Sequence, residues 1–249
     1  HLQRRSFSHG DISRLRQGSF HGCYRGQPCA RHFQSNCRFS RRNGPFCIWK
    51  TNFINGGVLE KLKELFNEKK VAQIGQRIHF AYPAFSTKKF SKRIQPKLRE
   101  LELKDRVRLI ANELKDQLPD DYIKTIPILL KSLKSAENPG GLGGFQAWPI
   151  LQFVETYGIG YPDVSLNALR EMTKEMSAEF AIRPFLLHHP EKTMLALQQW
   201  VEDENLHVRR LVSEGTRPRL PWAARLPHFQ KSPKLCLPFL RALREDPEL

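Results

Sequence analysis

The first 55 residues keep neither a helix period nor a strand period, and the chain turns helical only after them. Their aromatics (Phe7, Phe20, Tyr24, Phe33, Phe39, Phe46) are scattered among Arg, Ser, Gly and His. From Val58 the character changes. In VLEKLKELFNEKKVAQIGQRI, positions Val58, Leu62, Leu65 and Phe66 share one face of a helix, after a break at Asn55-Gly56-Gly57. Ser86 or Thr87 is suited to cap a helix through Phe90 and Ile94 that ends near Pro96. The stretch 102–118 aligns Leu103, Val107, Ile110, Ala111 and Leu114 in one stripe, and 121–133 does the same with Tyr122, Ile126, Leu129, Leu130 and Leu133. Further helices are expected over 148–157, 164–176, 177–188, 190–204, 206–216 and 234–244. Pro162, Pro190 and Pro233 fall where helix-start prolines belong. No alternating β pattern of useful length occurs, so the chain reads as all-α.

The glycine-rich run Pro139–Gly144 has no Lys-Ser/Thr after it, which argues against a phosphate loop; it reads as a flexible connector. A repeat is visible further on. The segment 238–249 aligns with the first half of 193–211 at an offset of 43 residues, which sets Asp246 under Asp203. Helix pairs recurring at about 40–47 residues mark HEAT-type solenoids, in which the Asp ties neighbouring turns and Arg faces out or bridges repeats. A four-helix bundle is the structural alternative.

Composition sharpens the choice of partner. Lys and Arg number 41 against 25 Asp and Glu, a formal charge of +16. Such an excess favours an anionic partner, nucleic acid first and an anionic membrane surface second. Ten basic residues and one acidic fall within 1–55, so the remainder carries only +7. Cys23, Cys29, Cys37 and Cys47 crowd into that leader beside His9, His21 and His32, but none of them forms the paired CxxC of common zinc modules. No metal is expected. Residues 1–55 are expected to be a disordered basic leader outside the fold, and 56–249 the helical domain. Cys236, in LCLPF, reads as a buried packing thiol. A body with a single cysteine suits a reducing, cytoplasmic setting.

The densest chemistry lies in 207–222, HVRRLVSEGTRPRLPW. It gathers Glu214, the guanidiniums of Arg209, Arg210, Arg217 and Arg219, and the indole of Trp222, with Pro218 and Pro221 stiffening the exit from the helix. Arg binds phosphate oxygens in a bidentate fork, and Trp offers a flat face to a base, a sugar or a cation. Glu214 could equally be an ordinary ion-pair partner. In AEFAIRPFLLHHPEK, Glu179 and Arg183 lie four apart, an intrahelical pair on the plain reading and a second carboxylate facing the same groove on the sharper one. His188 and His189 could cap that helix. Cofactor motifs are missing from the chain, so any catalysis falls to carboxylates and aromatics, and no cofactor is expected.

Three segments, ELKDRVR (102–108), AEFAIRPF (178–185) and VRRLVSEGTRPRLPWA (208–223), resemble the bacterial AlkC branch of the AlkC/AlkD DNA glycosylase superfamily, a likeness running from about Leu59 to Asp246. The resemblance implies a HEAT-repeat-like right-handed α-solenoid whose concave basic face cradles double-stranded DNA containing alkylated bases. It implies a monomeric, cofactor-free enzyme of the bacterial cytoplasm and nucleoid, cleaving the N-glycosidic bond of cationic bases such as 3-methyladenine and 3-methylcytosine without full base flipping. Glu214 and Glu179 would then sit at the lesion and Trp222 against the nucleotide. Arg183, Arg210 and Arg217 would hold phosphates or orient the carboxylates, with Arg209 and Arg219 completing the DNA-binding set. In the family a further helical repeat follows the segment that here ends in 244–249, so this chain is expected to lack that repeat. The alternatives are a non-catalytic HEAT-like scaffold that grips DNA or a protein partner, and an RNA-binding helical repeat. The latter would show one base-contacting set per repeat, and no such code is seen.

Overall fold

Asn67 decides where the first α-helix of the described residues begins. The expected continuous helix from Val58 is interrupted: Leu62–Phe66 forms a 3-10 turn, and Asn67 leaves helical geometry. Its side chain accepts the Lys70 N–H at 3.0 Å and caps α1 (Glu68–Ala81). A short polar side chain that satisfies an orphan N–H makes a better cap than an interior residue. This computed structural model describes residues 62–248. The readings made on the leader, its cysteines and the boundary at 55/56 lie outside the described residues.

Ser86 caps α2 (Thr87–Leu98), accepting from Lys89 N at 3.3 Å. The helix runs past Pro96 instead of stopping there: Pro96 lies on the exposed side, and the turn that follows it adds Leu98 to the buried face of Phe90 and Ile94. The helix α3 (Leu103–Lys115) buries the whole stripe read from the sequence, Leu103, Val107, Ile110, Ala111 and Leu114. Each of the larger aliphatic chains there contributes about 1.5–3 kcal/mol of transfer free energy. Arg106 of the ELKDRVR segment is also buried. It donates to the carbonyls of Leu101, Lys63 and Phe66 and so fastens the 3-10 turn to α3. Asp121 caps α4 (Tyr122–Ser132) through the N–H groups of Ile123 and Lys124.

The glycine-rich run is a packed turn, contrary to the flexible connector expected. Leu142 is fully buried; its N–H donates to Ser132 O at 2.8 Å and its carbonyl accepts from Lys134 N at 2.9 Å. Gly141 is required by proximity: a Cβ there would lie 2.1 Å from the Leu133 carbonyl oxygen. After a second 3-10 turn (Gly144–Ala147) come α5 (Trp148–Tyr157), α6 (Pro162–Met172), α7 (Ile182–His188), α8 (Pro190–Trp200), α9 (Leu206–Gly215), α10 (Pro227–Lys231) and α11 (Leu237–Leu243), the last two separated by a 3-10 turn at Pro233–Leu235. Proline opens α6, α8 and α10. The helix expected over 177–188 starts only at Ile182, and the residues before it form turns held by Ala178 N donating to Thr173 Oγ1 at 3.2 Å. Among the described residues there is no strand, only one isolated bridge between Leu133 and Leu142.

Helices pack on their neighbours and on the element two further along. In one series α4, α6 and α8 follow one another; α3 packs on α5, and α9 on α11. This is the stacking of a helical solenoid. Its repeats are tied by a recurring ion pair. Arg170 of α6 reaches Asp203, just beyond α8, at 2.5 Å; Arg209 of α9 reaches Asp246, just beyond α11, at 2.5 Å. The offset-43 alignment of the two aspartates thus has a structural cause. Among the described residues no helix is long and apolar enough to cross a membrane.

Candidate functional site

Two motifs that lie thirty-odd residues apart in sequence meet through Arg183. Its guanidinium is fully buried and donates to the carbonyls of Ala224, Gly215 (3.1 Å) and Arg217 (2.8 Å), with a longer reach to Pro218. Burial pulls its pKa down to about 10, with Glu179 opposing, so it stays charged near neutrality. The loop leaving α9 is therefore stapled onto α7 from inside. Below that staple Gly215 approaches α7 so closely that a Cβ would lie 2.7 Å from Ile182 Cγ2. A larger residue there would push α9, and Glu214 with it, away from the Glu179 turn.

The result is a pair of carboxylates on adjacent segments. Glu214 sits at the end of α9, its side chain 14% exposed, and accepts from Arg217 Nη1 at 2.7 Å. Glu179 lies in the turn before α7, not on a helix, with Ser177 Oγ donating to it at 3.4 Å. Burial raises the Glu179 pKa above its ordinary 4.5, and the Glu214 charge raises it further; Arg210 and Arg217 pull the other way. The two acids thus feel each other within a guanidinium frame. Arg210 is half-buried beside them, whereas Arg219 is exposed on the following loop.

Trp222 lies within that loop, 51% exposed, and is the one non-glycine among the described residues with positive φ, at 65°. Its carbonyl accepts Lys104 Nζ from α3 at 2.5 Å. The same ammonium stands 5.8 Å from the centroid of Phe180, the residue after Glu179. Trp148 supports Phe180 at 5.6 Å between ring centroids. The Lys104 pKa is lowered by burial first and by Arg108 second, and Glu155 and Asp105 partly restore it. Glu155 on α5 is itself raised by burial, against the pull of Lys104 and Arg108.

Two of the expected DNA contacts are corrected. Arg183 cannot hold a phosphate, because its guanidinium is enclosed and spent on backbone carbonyls; nor does it make the plain intrahelical pair with Glu179, which precedes the helix. Arg209 bridges repeats. It grips both oxygens of Asp246, Glu248 and the carbonyls of Asp203 and Glu204. His189 Nε2 donates to Ile159 O, 2.7 Å away in the α5–α6 connection, and so does not cap its own helix through that nitrogen. Cys236 is the buried thiol expected; its Sγ lies 3.4 Å from Thr216 O, and burial pushes its pKa up to about 11. The sequence reading missed Lys104, Phe180 and Glu155. The first two lie inside the segments quoted for the resemblance; their contact with each other spans 76 residues of sequence, which no local pattern announces.

Fold and site together define, over the described residues, an all-helical solenoid that presents a carboxylate pair framed by arginines, followed by a loop that carries an exposed indole. No protein-family model matches this chain. It is 38% identical over 189 residues to the uncharacterized protein YhaZ of Bacillus subtilis (strain 168), covering 76% of this chain and 51% of that protein. Its structure is similar, with TM-score 0.71 and 38% identity, to the alkylpurine DNA glycosylase AlkC of Pseudomonas fluorescens, solved bound to DNA containing an abasic site analog; the match covers 77% of this chain and 52% of that one. The chain thus spans about half the length of these relatives. Over the region they share it is an AlkC-type protein with the AlkC helical fold.

Proposed function

We propose that this chain carries the lesion site of a DNA repair N-glycosylase that removes cationic N-alkylated bases, of the 3-methyladenine and 3-methylcytosine class, from duplex DNA. It acts as a monomer and without a cofactor. The observation that carries the reading is the Arg183 staple, which joins the segment of Glu179 to the end of α9 where Arg217 holds Glu214 at 2.7 Å. A base alkylated on a ring nitrogen already bears positive charge. It leaves with the electron pair of the C1′–N bond and becomes neutral, so no proton donor is needed. What remains is a sugar with oxocarbenium character and a water to be directed at C1′.

The two carboxylates suit those two tasks. Glu214, held by Arg217, supplies fixed negative charge to the developing cation. Glu179, its pKa raised by burial, suits the acceptance of the proton lost when water adds to C1′. The exposed indole of Trp222 offers a face to the cationic base or its sugar. Arg217 and Arg219 are the exposed guanidiniums available to phosphates, with Arg210 beside the acids. The test is release of methylated bases from N-methyl-N-nitrosourea-treated duplex DNA, run alongside a DNA-binding titration. Release of 3-methyladenine supports the glycosylase reading. DNA binding without release would replace it with the non-catalytic scaffold.

A further inference from the structure

Trp222 presents a mechanical problem. A tryptophan in the left-handed region is strained by about 1–3 kcal/mol, and such a conformation persists only where its surroundings enforce it. The inner side of the loop is enforced by Arg183, whose contacts reach Gly215, Arg217 and Ala224 but not Trp222 itself. The carbonyl of Trp222 is taken by Lys104, 118 residues earlier in the chain. That ammonium also faces the Phe180 ring next to Glu179. It is partly buried among Glu155, Arg108 and Asp105, so its position is fixed by packing from α3 and α5.

We propose that Lys104 is a positioning residue for this site, a clamp that holds the strained Trp222 backbone and the Glu179–Phe180 turn in register, so that indole and carboxylates meet the same nucleotide. Its consequence for catalysis rests on the glycosylase reading; the clamp itself rests on the contacts. Lys104 touches no reacting atom. It acts through the carbonyl of Trp222, with Glu155 and Asp105 as the counter-charges around a partly buried ammonium.

The test uses the full chain with Lys104→Met, which keeps the apolar stem and removes the donor, and Lys104→Arg, which keeps a cationic donor. Acrylamide quenching of Trp222 is isolated by subtracting matched Trp222→Phe proteins, because Trp49, Trp148 and Trp200 also emit. Single-turnover base release and DNA affinity are measured on the same proteins. The clamp predicts that Lys104→Met makes Trp222 more quenchable and slows release at saturating protein by about 10- to 100-fold, with little change in DNA affinity. Lys104→Arg should recover most of both. Parental quenching and rate in folded Lys104→Met would overturn the proposal, as would a loss confined to DNA affinity. If Lys104→Met does not fold, Lys104→Gln is read by the same criteria. Should the parent release no base, the glycosylase reading falls, and the quenching comparison still decides the clamp.

Discussion

Arg209 and Arg217 lie on either side of Glu214, and they meet their carboxylates differently. Arg209 is 14% exposed and engages both oxygens of Asp246, itself 7% exposed, together with Glu248 and two backbone carbonyls. Arg217 is 48% exposed and gives one contact to Glu214, leaving most of its donors outward. The first arrangement is a spine element: with Arg170–Asp203 it joins one repeat to the next, and its hydrogen-bonding capacity is used up. The second is incomplete as structure and open as chemistry. An arginine whose donors are saturated reports stability; one that steadies a carboxylate and still faces solvent is free to meet a ligand.

The contrast breaks most severely at Arg183, the staple between the two regions. Arg183→Met would leave several buried carbonyls unsatisfied, at about 1–3 kcal/mol each, so urea unfolding should show a loss of about 3 kcal/mol or more. A change that instead spared stability but weakened DNA binding would return Arg183 to the phosphate-contacting set. Glu214→Gln is next. It should lower single-turnover base release by about 10²–10³-fold while DNA affinity stays close to parental. Equal losses in binding and release would remove Glu214 from the chemistry.

Asp246→Asn probes the spine and should cost about 1–3 kcal/mol at neutral pH. Its hydrogen bond from Arg209 holds the Asp246 pKa below the ordinary 3.8. A depressed carboxylate contributes stability that is present above 3.8 and lost as pH falls through the lower folded value. The difference between Asp246→Asn and parent should therefore persist to about that pH and then vanish in acid denaturation. A smaller effect belongs to Arg217→Ala, which should weaken DNA binding and reduce the salt slope of log K by about one. The finest is a pH profile. The acid limb of base release should lie above 4.5, because burial and then Glu214 raise the Glu179 pKa; Arg210→Gln should move that limb higher still, since Arg210 lowers it.

Helix positions were legible in the sequence wherever one stripe was buried, as on α3, and wherever a capping residue was explicit, as at Ser86 and Asp121. The repeat was legible because Asp203 and Asp246 recur with the same partner type. The residue types at the site were legible too, since Glu214, Arg217 and Trp222 are an unusual cluster. Other features depended on contacts between distant segments. Whether an arginine faces out or in is decided by the carbonyls waiting for it, which is why Arg183 and Arg209 read from sequence as DNA contacts. The packed turn at Leu142 was hidden by glycines that serve close approach, not mobility. Lys104 was hidden because its partner lies 118 residues away.

The central claim is that Glu179 and Glu214 form one working site. A double-mutant cycle on single-turnover release of 3-methyladenine tests it most directly, with Glu179→Gln, Glu214→Gln and the pair measured at saturating protein. Residues that act as a unit are strongly non-additive, so the double variant should be no slower than about the slower single one. Losses that multiply would mean two independent groups and contradict the account.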